Sequence, residues 1–513
     1  MDAQTKKVVR EVLEYLSNKE EIDELEVFAS VNGILTCRIN YTSHLPCNGL
    51  EEPKSTHTQG VGLRVAFKEE DKIKVGFGQE TGSISMEAIE SAWSKAKEGA
   101  VYDPDFYGLP SPDTEDRTLW NYHDQKILNI SDEDLVIIGW KTIHAALEEF
   151  EHSSLVKDKY SKIDELGLIL GGDVTILQEK MAIASTHSPN IQEDTSTMIF
   201  SSLTSMIEKT GSKGSGWTVG THLDSFSGEA GKMAVKSALQ SIGGKQIERG
   251  TYAVILSPQV VADLVNNIVI PSLSLATFYA GNSTYQGKLG KKVTSEQLSI
   301  YDKGNEKGLA ASKGITCEGL PTGNTALITR GILTGLLSND YERKRIFHDR
   351  KAKEKLGVDP LKWQKSLVPR NGFRFAQGGG RSHASIPSIS PTNVVIEGEP
   401  SSHLDGLLKK VKYGIYIGRI WYTYPINGLQ AGDFTSTIVG DSYLVKDGEL
   451  AEPLKPNTVR INDNVHSVFN QIMGIENKQT GIVLWAADEV IYVPHIAISQ
   501  LKMSNISAFI QSL

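Results

Sequence analysis

From Val293 onward the chain is a succession of short apolar runs separated by Gly, Asn and Asp, and this pattern constrains the fold more than any other feature. Runs of this kind are typical of strands, and the turn residues between them favour antiparallel neighbours. The Lys-Asp-Gly at 446–448 is a hairpin-turn signal. We therefore predict a large antiparallel sheet or barrel-like body, with strands near residues 324–328, 393–396, 413–422, 436–445, 458–461 and 481–493.

The N-terminal part mixes helix and strand signals. Ser85 is suited to cap a helix that runs to about residue 100, and further helices are predicted over residues 1–20 and 132–151. Asn32-Gly33 and Gly171-Gly172 each separate two apolar runs, so we predict two β-hairpins that turn at these dipeptides. The apolar face of the first helix would consist of Val8, Val9, Val12, Leu13 and Leu16.

A change in composition suggests where the two parts divide. Residues 209–227 are rich in Gly, Ser, Thr and Lys, which is typical of a boundary. We predict an N-terminal mixed domain over residues 1–215 and a C-terminal β-rich domain over residues 216–513, and hence an α+β fold. A strand near 252–256 and a helix beginning at Pro258 would open the second domain, since Pro is favourable in a first helical turn.

Charge and cysteine content narrow the classes of function. The 513-residue chain carries a net charge of −9, which argues against a dedicated nucleic-acid binder. Its cysteines, Cys37, Cys47 and Cys317, are odd in number and lack Cys-x-x-Cys spacing, as expected in a reducing compartment. The N-terminus has no apolar signal core, and no run approaches the ~18 apolar residues of a membrane span. We therefore expect a cytoplasmic protein without direct nucleic-acid or membrane contact.

An ordered series of short motifs extends over nearly the whole chain. Each is weak alone, but together they resemble the TldD/PmbA family (peptidase family U62, also called modulator of DNA gyrase). The motifs are Gly60-Val61-Gly62-Leu63-Arg64-Val65, Gly287-Lys288-Leu289-Gly290, Cys317-Glu318-Gly319-Leu320-Pro321-Thr322, Asn324-Thr325, Arg330-Gly331-Ile332-Leu333, Pro391-Thr392-Asn393, Gln430-Ala431-Gly432-Asp433-Phe434-Thr435 and Lys446-Asp447-Gly448-Glu449-Leu450.

This chain departs from the family pattern at the zinc-binding motif. In the TldD type, the helix before Gly-Lys-Leu-Gly carries His-Glu-x-x-x-His, which binds zinc and supplies a general base. Here those positions hold Asn266, Asn267 and Pro271. A proline has no donor atom and an amide is a poor zinc ligand beside imidazole. The segment 484–494, where the family's zinc-binding cysteine is expected, contains no cysteine. The chain therefore resembles the PmbA (TldE) type, which lacks the zinc motif, and we predict no catalytic and no metal-binding residue in it.

Each candidate site residue has two interpretations. Asn266 and Asn267 are either ordinary polar positions on a half-buried helix or the lining of a degenerate cleft that still contacts peptide. Gly432, Asp433, Phe434 and Thr435 form either a tight turn or a loop beside that cleft. The stretch 378–381, Gly-Gly-Gly-Arg, is either a flexible loop or a cradle for an anion. It lacks P-loop spacing.

The resemblance implies a function through pairing. TldD and PmbA types form an assembly in which unfolded peptides are cut, so this chain would be a non-catalytic subunit of a heterodimer, with zinc in the TldD-type partner. A homodimer is the other assembly considered. The alternatives are an independent peptidase with an unrecognised site, and a peptide-binding adaptor or regulator. No His-Glu-x-x-His or Gly-x-Ser-x-Gly motif offers replacement chemistry, and His348, His383 and His495 are isolated.

Overall fold

The structure is a computed structural model that describes residues 3–45, 48–69, 72–111, 122–159 and 165–506. Cys47 and residues 112–121 of the connection between Asp103 and Asp124 lie outside these ranges. The other two cysteines, Cys37 and Cys317, are buried and free. Among the described residues, no helix is both long enough and apolar enough to cross a bilayer.

The N-terminal part is an eight-stranded antiparallel sheet in the order β5-β4-β3-β1-β6-β7-β8, with β2 paired to β1. Helices pack on it. The strands are β1 (Ile22–Thr42), β2 (Gly49–Leu50), β3 (Lys54–Glu69), β4 (Lys72–Thr81), β5 (Val101–Tyr102), β6 (Leu168–Ser185), β7 (Gln192–Ile207) and β8 (Ser212–Gly220). The helices are α1 (Ala3–Ser17), α2 (Met86–Glu98), α3 (Gln125–Leu128), α4 (Asp132–His152), α5 (Ser154–Lys159) and α6 (Glu229–Gln240).

The three N-terminal helices predicted from the sequence are confirmed. All five apolar residues named for α1 are buried, as the helical spacing predicts. The Ser85 side chain caps α2 by accepting a hydrogen bond from the N–H of Ala88, and Ser131 caps α4 in the same way through Asp134.

The two predicted hairpins are wrong, because β1 and β6 each continue through the dipeptide expected to turn. Asn32 opposes Thr58 of β3 and Glu179 of β6, so its backbone is held extended from both sides. The Asn32 side chain donates to the carbonyl oxygens of Gly379 and Arg381, at 3.1 and 2.8 Å, instead of stabilising a turn. At Gly172 a Cβ would lie 2.1 Å from the Ser202 carbonyl oxygen of β7. These dipeptides therefore serve close packing between strands.

The C-terminal part contains a ten-stranded sheet, a six-stranded sheet and a two-stranded sheet. The strands are β9 (Gly250–Leu256), β10 (Leu298–Lys303), β11 (Asn324–Thr329), β12 (Ile332–Leu333), β13 (Gly372–Phe373), β14 (Ser388–Ile389), β15 (Asn393–Gly398), β16 (Ser401–Ser402), β17 (Gly414–Ile417), β18 (Arg419–Ile426), β19 (Asp433–Gly440), β20 (Tyr443–Lys446), β21 (Glu449–Pro453), β22 (Val459–Asn464), β23 (Ile472–Glu476), β24 (Thr480–Ile482), β25 (Val490–Val493) and β26 (Ile496–Asn505). The helices are α7 (Pro258–Leu264), α8 (Ile270–Ser272), α9 (Leu275–Tyr279), α10 (Asp340–His348), α11 (Ala352–Leu356), α12 (Leu404–Val411) and α13 (Val465–Asn470).

The predicted α+β class with an antiparallel β-rich C-terminal part is confirmed. The ten-stranded sheet has the order β18-β19-β22-β26-β9-β17-β20-β21, with β23 paired to β26 and β16 paired to β23. The six-stranded sheet has the order β12-β11-β10-β15-β25-β24. Most ladders are antiparallel, although β9 pairs with β17, β15 with β25 and β16 with β23 in parallel. The turn at 446–448 joins β20 to β21, with positive φ at Asp447 and Gly448.

The domain division at residues 215 and 216 stays a prediction. Those two residues lie within β8, and α6 packs directly on this strand. A Cβ on Gly216 would lie 2.0 Å from the Ala230 carbonyl oxygen, so the missing side chain permits the close approach of α6.

A buried ion network joins the N-terminal sheet to the C-terminal part. The Arg381 side chain is fully buried and donates to Glu179 of β6 at 3.2 Å and to Asp194 of β7 at 2.6 Å. Lys313 forms a second buried ion pair with Glu179. Burial by itself would raise the pKa of Glu179, but Lys313 and Arg381 outweigh it and lower the pKa to about 2.

Replacing Arg381 tests how much this network stabilises the protein. We expect Arg381→Met to lower the free energy of unfolding by about 3–5 kcal/mol, because Glu179 and Asp194 would stay buried without this partner. Urea denaturation at pH 7, followed by circular dichroism, measures the change. The matched control is Arg38→Met, since Arg38 forms an ion pair with Asp173 at the surface and should change stability by about 1 kcal/mol or less. Equal losses in the two variants would contradict the assignment.

The same network predicts that the stability of the protein depends on pH. A carboxyl whose folded pKa lies below its unfolded value stabilises the protein above the unfolded pKa, about 4.3 for Glu, and loses this contribution as the pH falls toward the folded value. For Glu179 the window therefore runs from about pH 4 down to about pH 2. We expect Arg381→Met to unfold at a higher pH than the unmutated chain in an acid titration. An unchanged midpoint would show that Arg381 does not lower the pKa of Glu179.

Candidate functional site

The helix that carries Asn266, Asn267 and Pro271 is interrupted by a π-helical turn. Helix α7 ends at Leu264, residues Val265–Val269 form the π turn, and α8 follows. The N–H of Ile270 bonds to the carbonyl of Val265. Pro271 lacks an N–H, and its ring would collide with the carbonyl of Asn267 in a regular α-helix, so the wider turn accommodates the proline. The disturbance of the helix at Pro271 therefore takes the form of a π turn.

The side chain of Asn267 is hydrogen-bonded within its own helix, and its neighbours Asp263 and Gln259 connect that helix to β18. Its side chain donates to the carbonyl oxygen of Asp263 at 2.8 Å and to the Asp263 carboxylate at 3.2 Å. Gln259 donates to the same carboxylate and accepts from the N–H of Ile420 in β18. Burial raises the pKa of Asp263 to about 6, although hydrogen bonds from Thr423, Asn267 and Gln259 act in the opposite direction. Asn267 therefore has a structural role in this chain.

Asn266 lies beside a cavity of about 500 Å³, which Pro271 also lines. Asn266 shares the lining of this cavity with Glu489. Burial raises the pKa of Glu489, while the Asn266 amide and the backbone N–H groups of residues 488 and 489 lower it. The other lining residues are Ile270, Ser274, Thr277, Leu337, Phe375, Gln377, Ile389, Ser390, Pro391, Trp485, Ala486, Ala487 and Asp488.

The Gly-rich stretch 378–381 forms an anion cradle that is filled by the chain's own carboxylate. The N–H groups of Gly378 and Gly380 donate to the two carboxylate oxygens of Asp488, at 2.8 and 2.7 Å. Both glycines have positive φ, the region that favours this residue. Burial raises the pKa of Asp488 to about 7, against the effect of these two N–H groups. Arg381 follows them and is buried, so the stretch is not a solvated loop.

Residues 432–435 do not line this cavity. Gly432 ends a 3-10 turn over Leu429–Ala431 with a φ of +72°, as the tight-turn interpretation predicts. Phe434 is buried in the core, and the Thr435 hydroxyl donates to the Ile461 carbonyl oxygen. Asp433 accepts from the Asn464 side chain at 2.9 Å. A peptide contact for Asn266, Asn267 or residues 432–435 stays a prediction.

The donor set beside the cavity does not fit zinc. Asn266 offers only an amide, and Pro271 offers no donor atom. Across the ranges that the structure describes, no three His, Cys, Asp or Glu side chains are grouped to hold a metal ion. His383 contacts Ser30 and Thr81. His495 contacts Glu476 and Tyr416. Neither histidine lines the cavity.

The sequence analysis missed four residues of the cavity: Phe375, Trp485, Asp488 and Glu489. The segment 484–494 attracted notice only because it lacks a cysteine. The adjacent acids Asp488 and Glu489 immediately precede β25, which was the one available signal. No periodicity distinguishes such a pair from ordinary surface acids.

Comparison with known proteins identifies the family. Residues 249–505 match the model of the PmbA/TldA metallopeptidase C-terminal domain. A metalloprotease TldD homolog of Buchnera aphidicola subsp. Acyrthosiphon pisum is 28% identical over 231 residues, so the match spans 44% of this chain and only 41% of that protein. Another TldD homolog, of Buchnera aphidicola subsp. Schizaphis graminum, is 23% identical over 91% of both chains.

Among solved structures, TldE from Thermococcus kodakarensis has the same fold, with a TM-score of 0.75 and 18% identity over 98% of this chain and 100% of that one. The domain match covers half of the chain and includes the helix with Asn266 and Asn267, the cavity segment 484–489 and residues 432–435. The chain therefore belongs to the TldD/PmbA family.

Proposed function

We propose that this chain is the PmbA/TldE-like, non-catalytic subunit of a peptide-cutting assembly, paired in the cytoplasm with a zinc-bearing TldD-type chain. The observation that carries the proposal is the helix at Asn266, Asn267 and Pro271. It keeps a cavity beside it but presents no zinc-binding side chain there. In this assembly the chain completes the wall of the peptide chamber, and zinc and the general base belong to the partner.

The placement of the polar residues supports this role. Gln259, Asp263 and Asn267 are hydrogen-bonded to one another and to β18, so none of them is available as a metal ligand or base. Asn266 lines the cavity, which is where a peptide would lie. A wall of this kind needs shape and hydrogen-bonding groups but no activated water.

The edge of the ten-stranded sheet supports pairing. Among the described residues, β18 is the outer strand on one side of this sheet, where the Gln259 side chain is hydrogen-bonded to the backbone of Ile420. Three aromatic side chains on β18 are more than half exposed, namely Trp421, Tyr422 and Tyr424. Exposed aromatic residues are enriched in protein interfaces. We assign this edge to the partner chain, whose binding would cover these rings.

Two alternatives predict different behaviour. An independent peptidase would cleave peptides without a partner and lose activity through a point substitution in this chain alone. A peptide-binding adaptor would bind peptides and show no dependence on a zinc-bearing sibling. No described residue beside the cavity offers an activated nucleophile with its own base, which favours the subunit role.

Metal content and reconstitution test the proposal. We expect the chain purified alone to contain less than about 0.1 zinc per molecule, since the helix offers no His or Cys donor. Unstructured peptides should be cut only after a TldD-type chain with an intact His-Glu-x-x-x-His motif is added. A partner whose motif Glu is replaced by Gln is the control, because the pair should form and stay inactive. About one zinc per chain, or cleavage by this chain alone, would favour the independent-peptidase alternative.

Restoring part of the zinc motif tests whether this helix can support zinc-dependent cleavage. We expect the double variant Asn266→His, Asn267→Glu to show no zinc-dependent cleavage, because Pro271 still supplies no ligand and segment 484–494 has no cysteine. Losing the Asn267 hydrogen bonds to Asp263 should also lower the free energy of unfolding by about 1–2 kcal/mol.

Elemental mass spectrometry and peptide cleavage measure the first effect, and urea denaturation measures the second. The single variant Asn266→His keeps Asn267 and is the control for stability. Robust zinc-dependent cleavage by the double variant would mean that another residue completes a metal site, and the account of the helix would then be wrong.

A further inference from the structure

We propose that the cavity beside Asn266 binds a positively charged nitrogen group of the peptide, either a lysine ammonium or a free N-terminal amine. This inference rests on the proposed function, because it names what the peptide places in the chamber wall. It assigns a ligand class to a cavity whose family chemistry is absent in this chain.

The charges that line the cavity are of one sign. Asp488 and Glu489 are the only ionisable side chains among the described lining residues, and both are acids. No Lys, Arg or His lines the space. A half-buried carboxylate is unfavourable unless a cation or several donors approach it. A cationic ligand supplies this missing charge.

The two acids differ in how much of their hydrogen-bonding capacity is already used by other groups of the chain. Each carboxylate oxygen of Asp488 accepts a backbone N–H of the Gly-rich stretch, so this group is engaged in holding the loop. The groups that lower the pKa of Glu489 are the neutral Asn266 amide and backbone N–H groups, and none carries a full charge. An ionised carboxylate can accept about four hydrogen bonds. Glu489 is therefore the acid that we assign to the ligand, with Asn266 positioning it.

Two basic side chains close to the Gly-rich stretch, Arg381 and Lys313, are already paired. They bond to Glu179, Asp194 and Ser196. Releasing either would leave a buried acid without its partner. The field in the cavity therefore keeps its negative sign, and the net charge of −9 on the whole chain acts in the same direction on an approaching cation.

The remaining walls suit the rest of a basic residue. Ile270, Pro271 and Leu337 provide an apolar surface for a lysine stem. Phe375 and Trp485 add two aromatic rings, which attract cations. Trp485 is 96% exposed at the rim, as expected for a side chain that a ligand would cover. The volume of about 500 Å³ is in the usual range for a small-ligand pocket.

A matched peptide series with the full-length chain tests the inference. Fluorescein-labelled unstructured peptides of one sequence carry lysine, acetyl-lysine or glutamate at the central position, all with acetylated N-termini. A fourth peptide carries acetyl-lysine and a free N-terminal amine, with its label at the C-terminal end.

Fluorescence anisotropy at low salt gives the Kd values. We expect at least one cationic peptide to bind about tenfold more tightly than the acetyl-lysine peptide, the effect of one charge-assisted hydrogen bond. Whichever arm shows the preference identifies the source of the cation.

Glu489→Gln connects the preference to the site. It should reduce the tenfold preference to less than about threefold, because the amide keeps the shape and removes the charge. Glu452→Gln is the control, since Glu452 lies at the surface beside Lys245 and Lys446 and should leave the preference intact. Circular dichroism establishes that both variants are folded.

The outcomes separate the two proposals. Equal affinity of the unmutated chain for the lysine, acetyl-lysine and free-amine peptides would overturn the cation site and leave the peptide-binding role standing. Binding of none of the peptides would also overturn the cation site, while cleavage after a TldD-type chain is added decides the subunit role separately. A preference that survives Glu489→Gln would also overturn the assignment. Should that variant fail to fold, the comparison of acetylated and free amines on the unmutated chain decides the question by itself.

Discussion

The buried ion pairs of Arg381 hold the Gly-rich stretch against the N-terminal sheet. Glu179 and Asp194 lie on neighbouring strands of the N-terminal sheet, and they bind a guanidinium that belongs to the C-terminal part. Because three charged groups are buried together, their separation would leave at least one charge without a partner in a low-dielectric interior. The backbone on either side of Arg381 is fixed as a result. Asn32 of β1 adds to this by donating to the carbonyls of Gly379 and Arg381.

The fixed backbone in turn places the segment that lines the cavity. Gly378 and Gly380 present their N–H groups to Asp488, and the next residue is Glu489, which meets Asn266 on the π turn. A chain of contacts thus leads from the N-terminal sheet, through the Gly-rich stretch, to the helix that carries Asn266 and Asn267.

The prediction from sequence succeeded where local rules decide the structure. The helix capped by Ser85, the apolar face from Val8 to Leu16 and the turn at 446–448 depend on residues close together in the chain, and all are present. The rules failed at Asn32-Gly33, where pairing with strands on both sides outweighs the turn preference of the dipeptide. They also failed at Arg381, whose neighbours suggested a flexible loop, because its partners Glu179 and Asp194 are distant in sequence.

The sequence by itself determined the family, the α+β class and the absence of histidine and glutamate at the zinc positions, because these properties reside in residue identity and motif order. It left open whether Asn266 and Asn267 share a role. Only the tertiary structure separated them: one meets Glu489 at a cavity, and the other is hydrogen-bonded to Asp263. The importance of Asp488 and Glu489 could not be predicted from the sequence either, since it depends on their burial and on the lack of a basic side chain among the described lining residues. Both properties arise from contacts between distant segments, which no local pattern in the chain records.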